Sequence, residues 1–242
     1  MTITVTLIGV GEAFDPNEPN SSALVEAHGY TLLIDCGHSV AIALWRRMDP
    51  DAIDGIYLTH HHPDHVLGLV PLLDRFGYDQ RQRPLSIYTT KWGIGHLRKL
   101  FEVGFVRIGD KSPFPLELAV ASRGYDIGPF AVKLAPTIHA IPTHAILLSA
   151  DERRLAYSGD GRPTPESLAL YRRADVLMHE CYAIAPERST PYHADLPTVA
   201  GIEGPARIGL YHVSTTMREE LPREIALNRR LFLAETGMTF TV

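Results

Sequence analysis

The sequence predicts an α+β fold formed as a single domain over residues 1–242. Strand-length apolar runs come in groups, with helix-length segments between them. No stretch rich in Gly, Ser or Pro divides the chain, and no short-period repeat is present. Hydrophobic residues make up 45% and charged residues 21% of the chain. That composition supports a proper core and excludes disorder, collagen-like sequence and coiled coil.

The elements follow in order. Thr2, Thr4 and Thr6 alternate with Ile3, Val5 and Leu7, the period of a half-buried strand. Gly9-Val10-Gly11 ends it, and the turn residues from Pro16 to Ser22 read as a loop. Ala23–Ala27 and Tyr30–Asp35 are two strands joined at His28-Gly29. Ser39 is placed to cap a helix running through Met48. Gly55–Thr59 is a short buried strand ending in clustered histidines, and Val66–Phe76 reads as an apolar helix in spite of Pro71. Strands are expected at Leu85–Thr89, Leu116–Ser122 and Phe130–Ala135, with a helix around Gly93–Phe101. In the second half, Ala145–Ala150 and Arg154–Ser158 form a hairpin through Asp151-Glu152. Pro165–Ala174 is a helix, and Val176–Glu180 and Arg207–His212 are strands. Arg218–Asn228 is expected as the last long helix, before strands at Leu231–Ala234 and Thr239–Val242.

Several function classes fall away on composition. The two cysteines, Cys36 and Cys181, make no disulfide framework. A formal charge of -5 gives no global pull toward nucleic acid. No apolar run approaches the ~20 residues that span a bilayer. The opening segment reads as a strand and lacks the features of a targeting peptide, so a cytoplasmic protein with no membrane partner is expected.

The strongest signal is Thr59-His60-His61-His62-Pro63-Asp64-His65, where a buried strand gives way to a helix. On extended chain, His60 and His62 project to the same side, and Asp64 and His65 follow where the chain turns. Imidazole and carboxylate donors suit zinc-like ions, so one segment offers ligands to two adjacent metals. Three downstream residues sit at strand ends of the same kind: His139, Asp160 in Ser158-Gly159-Asp160-Gly161, and His212. Each alone is weak; together they complete two coordination shells.

This pattern, His-x-His-x-Asp-His, then His, Ser-Gly-Asp and His, resembles the metallo-β-lactamase superfamily over nearly the whole chain, from Leu32 to Met238. The resemblance implies a four-layer αβ/βα sandwich, two packed mixed sheets flanked by helices, with the metals in loops along one edge. It implies that His60, His62 and His139 hold one divalent ion, that Asp64, His65 and His212 hold the other, and that Asp160 bridges them. Asp35 would lie behind the ligand loop and fix it. Zinc is the expected metal, and manganese or iron also suits these donors.

His179-Glu180 after an apolar strand, then His193-Ala194-Asp195, is similar to motifs of the ribonuclease Z-like phosphodiesterases. That branch implies a Glu180–His193 dyad near the metals, in which a carboxylate keeps a proton on imidazole for a leaving alkoxide. Ribonuclease Z itself inserts a transfer-RNA-gripping arm between the third histidine motif and the bridging aspartate. Here Asp160 follows His139 by only 21 positions, and no arm fits. His212-Val213-Ser214-Thr215-Thr216 also lacks the arginine of the pattern His-x-Ser-x-Arg, and Arg218 is the nearest replacement, read as an exposed residue starting a helix. Large RNA is therefore not expected as a partner.

The expected function is hydrolysis of a small or cyclic phosphodiester. Two ions share a water and lower its pKa to give hydroxide, Asp64 orients it, and His193 held by Glu180 protonates the leaving oxygen. Acyl hydrolysis of a thioester or lactone on the same centre is the alternative, and a non-hydrolytic accessory or sensor that keeps the fold is another. A homodimer is a family expectation that no sequence feature establishes.

Overall fold

The computed structural model describes residues 2–47, 49–121 and 125–242. The opening alternation forms β1 (Thr4–Gly9), followed by the hairpin of β2 (Ser22–Ala27) and β3 (Tyr30–Ile34). Next come α1 (Val40–Trp45), β4 (Gly55–Tyr57), α2 (Pro63–Val66) and α3 (Leu69–Tyr78). The first half closes with β5 (Leu85–Thr89), α4 (Lys91–Val103) and β6 (Leu116–Val120). The second half opens with β7 (Asp126–Ile127), β8 (Phe130–Pro136), β9 (His144–Ala150) and β10 (Arg153–Tyr157). It continues with α5 (Pro165–Tyr171), β11 (Val176–Glu180), α6 (Leu196–Ala200) and β12 (Arg207–Tyr211). The chain ends with α7 (Leu221–Ile225), β13 (Leu231–Leu233) and β14 (Thr239–Thr241).

These strands form two seven-stranded sheets, ordered β14-β1-β2-β3-β4-β5-β6 and β13-β12-β11-β10-β9-β8-β7. Each sheet is mixed: β1 to β3 and β7 to β10 pair antiparallel, while β3 to β6 and β10 to β13 pair parallel. The runs without polar alternation follow from burial on both faces. Leu32 and Ile34 of β3 pack between the sheets, whereas Leu33 packs on the helical side. On β11, Val176 and Met178 face the other sheet and Leu177 faces the helices. Three apolar clusters therefore separate four layers: α1, α3 and α4 outside the first sheet, and α5, α6 and α7 outside the second. The expected four-layer sandwich is what the chain forms.

Three predicted helices differ from the structure. The helix expected over Val66–Phe76 is two, α2 and α3, broken at Leu67-Gly68. Gly68 lies against the backbone of Cys36 and Gly37, where a Cβ would overlap the Gly37 carbonyl, and its N–H donates to Cys36 O at 2.9 Å. Pro71 falls in the first turn of α3, where a missing N–H costs no helical bond. The long helix expected over Arg218–Asn228 is only α7, because Pro222 at its start cannot extend a helix backward. Arg218 is accordingly in a turn and half-buried, not exposed at a helix start. Ser39 does not cap α1 with its side chain; its hydroxyl instead donates to Asn20 Oδ1 at 2.7 Å. Met48 and Ser122, the ends of two predicted segments, lie outside the described residues.

Since β8 and β10 both run antiparallel to β9, and β10, β11 and β12 run parallel, their C-terminal ends reach one edge of the second sheet. The chain leaving β4 meets that edge from the first sheet.

Candidate metal centre

Four segments converge there. His60 and His62 come from the β4–α2 connection and Asp64 and His65 from α2 itself, His139 follows β8, Asp160 follows β10, and His212 follows β12. His62 Nδ1 lies 3.2 Å from His60 Nε2 and 3.0 Å from His139 Nε2, so these three donors form one set. Asp64, His65, Asp160 and His212 form the second set, all four buried. Asp160 Oδ2 is 3.4 Å from His65 Nε2, 3.2 Å from His212 Nε2 and 3.8 Å from His60 Nε2, which puts it between the sets. Asp64 Oδ2 is 3.1 Å from His65 Nε2 and 3.5 Å from His212 Nε2.

The donors are themselves held. Buried Asp35 accepts from Thr59 N at 2.8 Å and contacts His65 Nδ1 at 2.8 Å, which aims His65 Nε2 into the cluster. Thr59 Oγ1 lies 3.0 Å from His60 Nδ1, and the Tyr192 carbonyl 2.9 Å from His139 Nδ1. His212 N–H donates to the Val10 carbonyl at 2.9 Å, tying the second sheet to the end of β1. Asp35 and His212 both have φ in the left-handed region, at 58° and 55°, a conformation that non-glycine residues keep only where surroundings fix it.

The residues fit two divalent cations. Asp160 Oδ1 is buried without a hydrogen-bond partner, which ordinarily costs roughly 1–3 kcal/mol, and His65 Nε2 faces two carboxylates at 3.1 and 3.4 Å without a well-aligned hydrogen bond to either. Burial works against charge on His65 and His212, yet the neighbouring carboxylates outweigh it and raise both, His212 to about 9. Burial would raise Asp64 and Asp160, but the same histidines hold both carboxylates well below their usual range. His60 lies on the other side of the balance: burial, and then the His65 charge, keep its ring neutral as a ligand must be. A field that retains protons on His65 and His212 would equally retain cations in their place, with proton release on binding. Histidine nitrogens mixed with carboxylate oxygens form the donor set that zinc and similar ions take.

Glu180, at the end of β11, is fully buried and accepts from four donors. Gly161 N and Ala194 N reach its Oε1 at 2.9 Å each, His193 Nδ1 reaches the same oxygen at 3.2 Å, and Tyr182 N reaches Oε2 at 3.1 Å. The carboxylate thus binds the Asp160 loop to the His193 loop. The His193 ring stacks on His212 at 5.4 Å and lies 4.9 Å from the Tyr182 ring. Its nearest ring nitrogen is within 4.8 Å of donor atoms of His139 and Asp160. Burial would lower its pKa, but the Glu180 hydrogen bond and charge raise it.

The seven candidate ligands therefore meet at one edge, with Asp35, Glu180 and His193 around them. Tyr182 and the carbonyl of Tyr192 carried no signal: one is an aromatic two residues beyond Glu180, the other a backbone group. Arg218 does not face the cluster. Its guanidinium donates to Ala234 O at 2.9 Å and lies 3.9 Å from Glu18. Between His139 and Asp160 the chain makes the β9–β10 hairpin and no arm. Among the described residues no helix is long and apolar enough to cross a membrane.

The family model described as Anti-Pycsar protein Apyc1 matches residues 3–230. Over 180 residues the chain is 36% identical to the Anti-Pycsar protein Apyc1 of Bacillus phage 010DV004, covering 66% of this chain and 69% of that protein. It is 27% identical over 234 residues to the ribonuclease Z of Haloarcula marismortui, covering 93% of this chain and 69% of the relative. The crystal structure of the metallo-β-lactamase fold protein YhfI from Bacillus subtilis superposes with a TM-score of 0.85 at 21% identity, covering 100% of each chain.

Proposed function

The chain belongs to the Anti-Pycsar protein Apyc1 family, on the ribonuclease Z-like branch of the metallo-β-lactamase superfamily, and from that premise we propose a dinuclear metal-dependent phosphodiesterase acting on a small or cyclic phosphodiester. The observation that carries this reading is the pairing of two donor sets around Asp160 with a buried carboxylate–imidazole pair beside them. A metal centre alone serves acyl and phosphoryl substrates equally. An imidazole held ready to give up a proton suits a poor alkoxide leaving group.

In this reading His60, His62 and His139 hold one ion, Asp64, His65 and His212 the other, and Asp160 lies between them. Two divalent ions, probed first as Zn2+, supply a water of lowered pKa and offset charge gathering on the phosphoryl oxygens. Asp64 would orient the attacking water, whose oxygen, one proton already lost to solvent, bonds to phosphorus. His193 donates the proton on Nε2 to the departing oxygen as the bond from that oxygen to phosphorus breaks. Glu180 holds Nδ1 throughout, which fixes the ring and stabilises its charged form. The absence of an arm between His139 and Asp160 favours a small substrate over transfer RNA, with cyclic nucleotides the first class to test.

The test is turnover of bis-p-nitrophenyl phosphate, a thioester and a lactone by protein of assayed metal content, followed by 3′,5′-cyclic nucleotides. Phosphodiester turnover that disappears with the metals supports the proposal. Acyl turnover without phosphodiester turnover overturns it.

A further inference from the structure

His61, the middle histidine of the ligand segment, points away from both donor sets. Its Nε2 shares a 2.6 Å hydrogen bond with Thr89 Oγ1, and Thr89 is fully buried at the end of β5. Trp92 lies edge-on to the His61 ring at 5.8 Å, and His96, one turn further along α4, lies 6.0 Å away. The first turn of α4 passes directly over this hydrogen bond. Thr90 caps the helix by accepting from Gly93 N at 3.1 Å, and a Cβ placed on Gly93 would overlap both His61 Nε2 and Thr89 Oγ1. Glycine is a poorer helix former than alanine, so its place in this turn is explained by the space that His61 needs.

We propose that His61 is a positioning residue, latched to Thr89 beneath Gly93, that sets the orientation of the ligand segment and so the affinity of the His60, His62 and His139 set for its ion. The geometric reason is alternation. His62 has extended backbone, φ −68° and ψ 155°, and neighbours on such a segment point to opposite sides. A segment anchored on one side only can turn about its own axis and carry His60 and His62 out of position together. His61 supplies an anchor on the opposite side, joined to the first sheet rather than to the ligands. This inference rests on the metal-centre reading above.

The experiment is titration of metal-stripped protein with Co2+, followed by its visible absorption, with Zn2+ stoichiometry measured by elemental analysis. Gly93→Ala is expected to weaken one of two ions by about 10–100-fold, the range typical of residues that orient ligands, and to alter the Co2+ spectrum of that site. In a His61→Ala background the same change should cost no further metal affinity, because Thr89, the other group it crowds, no longer has a bond to the ligand segment. Equal loss with and without His61 overturns the proposal. Thr89→Val and Thr89→Ser keep it testable should Gly93→Ala not fold. Valine is expected to reproduce the loss and serine to restore wild-type affinity; a valine variant that binds both ions as tightly as wild type overturns the latch. Wild-type protein that binds no divalent ion overturns the metal-centre reading itself, whereas two tightly bound ions in every variant overturns the latch alone.

Discussion

The two halves of the molecule build their share of the centre in opposite ways. The first half delivers His60, His62, Asp64 and His65 from six consecutive residues leaving β4. The second half delivers His139, Asp160, Glu180, His193 and His212 from segments spread over its whole length, and only the sheet brings them together. Within that sheet Tyr157 pairs with Met178, and Glu180 with Tyr211, so β10, β11 and β12 finish at one edge and each releases its polar residue there. A contiguous segment can be fixed by local anchors such as Asp35, Thr59 and Thr89. Scattered residues need register, and here they also share a hub, the Glu180 carboxylate.

The largest effects should separate the halves by what each residue touches. Asp160 lies between both donor sets, whereas His62 belongs to one. Asp160→Ala is therefore expected to lose both ions and reduce phosphodiester turnover to background, and His62→Ala to retain one ion. Elemental analysis of the purified variants decides this. An Asp160→Ala protein that keeps two ions would mean that the carboxylate does not bridge, and the second half would then contribute terminal ligands only.

His193 tests whether the second half adds chemistry as well as ligands. His193→Ala should leave metal content intact and lower kcat by about 10²- to 10⁴-fold on a substrate with an alkoxide leaving group, the usual range for a lost general acid. The loss should be much smaller on bis-p-nitrophenyl phosphate, whose leaving group needs no proton. Equal losses on the two substrates would remove the proton-donor role and leave His193 a binding residue.

How much of this was legible follows the same division. The first half could be read because its candidate ligands share one motif, and the period-two and continuous apolar runs placed most strands within a residue or two. The second half could be read only through several weak strand-end signals taken together. Contact between Glu180 and His193 is a property of how the loop after β11 folds back, and no spacing encodes it. Nor could the sequence show that Glu180 binds the backbone N–H groups of Gly161, Tyr182 and Ala194, since every residue except proline offers such a donor. The helix errors differ in origin. Helical periodicity continues through Gly68, but close approach to Cys36 and Gly37, which no local pattern encodes, breaks the helix there; the run from Arg218 is cut by Pro222, a signal the sequence did carry.

Glu180→Gln sharpens the account of the hub. The carboxylate meets four donors and offers only acceptors; the amide of glutamine must turn an N–H toward at least one of them. A buried donor left facing a donor costs roughly 1–3 kcal/mol, so denaturant unfolding of this variant should show a loss of that size. His193→Ala, which removes one donor and leaves the other three bonds intact, should lose less. If the two variants are equally stable, the carboxylate serves His193 alone and the second half has no hub.

The smallest effect concerns Arg218, the residue nearest in sequence to the place where the related pattern carries a phosphate-holding arginine. A guanidinium recognises phosphate with two parallel N–H donors, which requires them to be free and aimed at the substrate. In this protein one Arg218 nitrogen is committed to the Ala234 carbonyl, another is buried without a partner, and Glu18 lies nearby. Those contacts join the turn after β12 to the segment after β13 and to the loop after β1. Arg218→Ala should therefore cost roughly 1 kcal/mol of stability, the worth of a typical hydrogen bond, and leave KM for a phosphodiester unchanged. A tenfold rise in KM with unchanged stability would return Arg218 to the substrate, and the second half would then bind phosphate through a side chain as well as through the proposed metal centre.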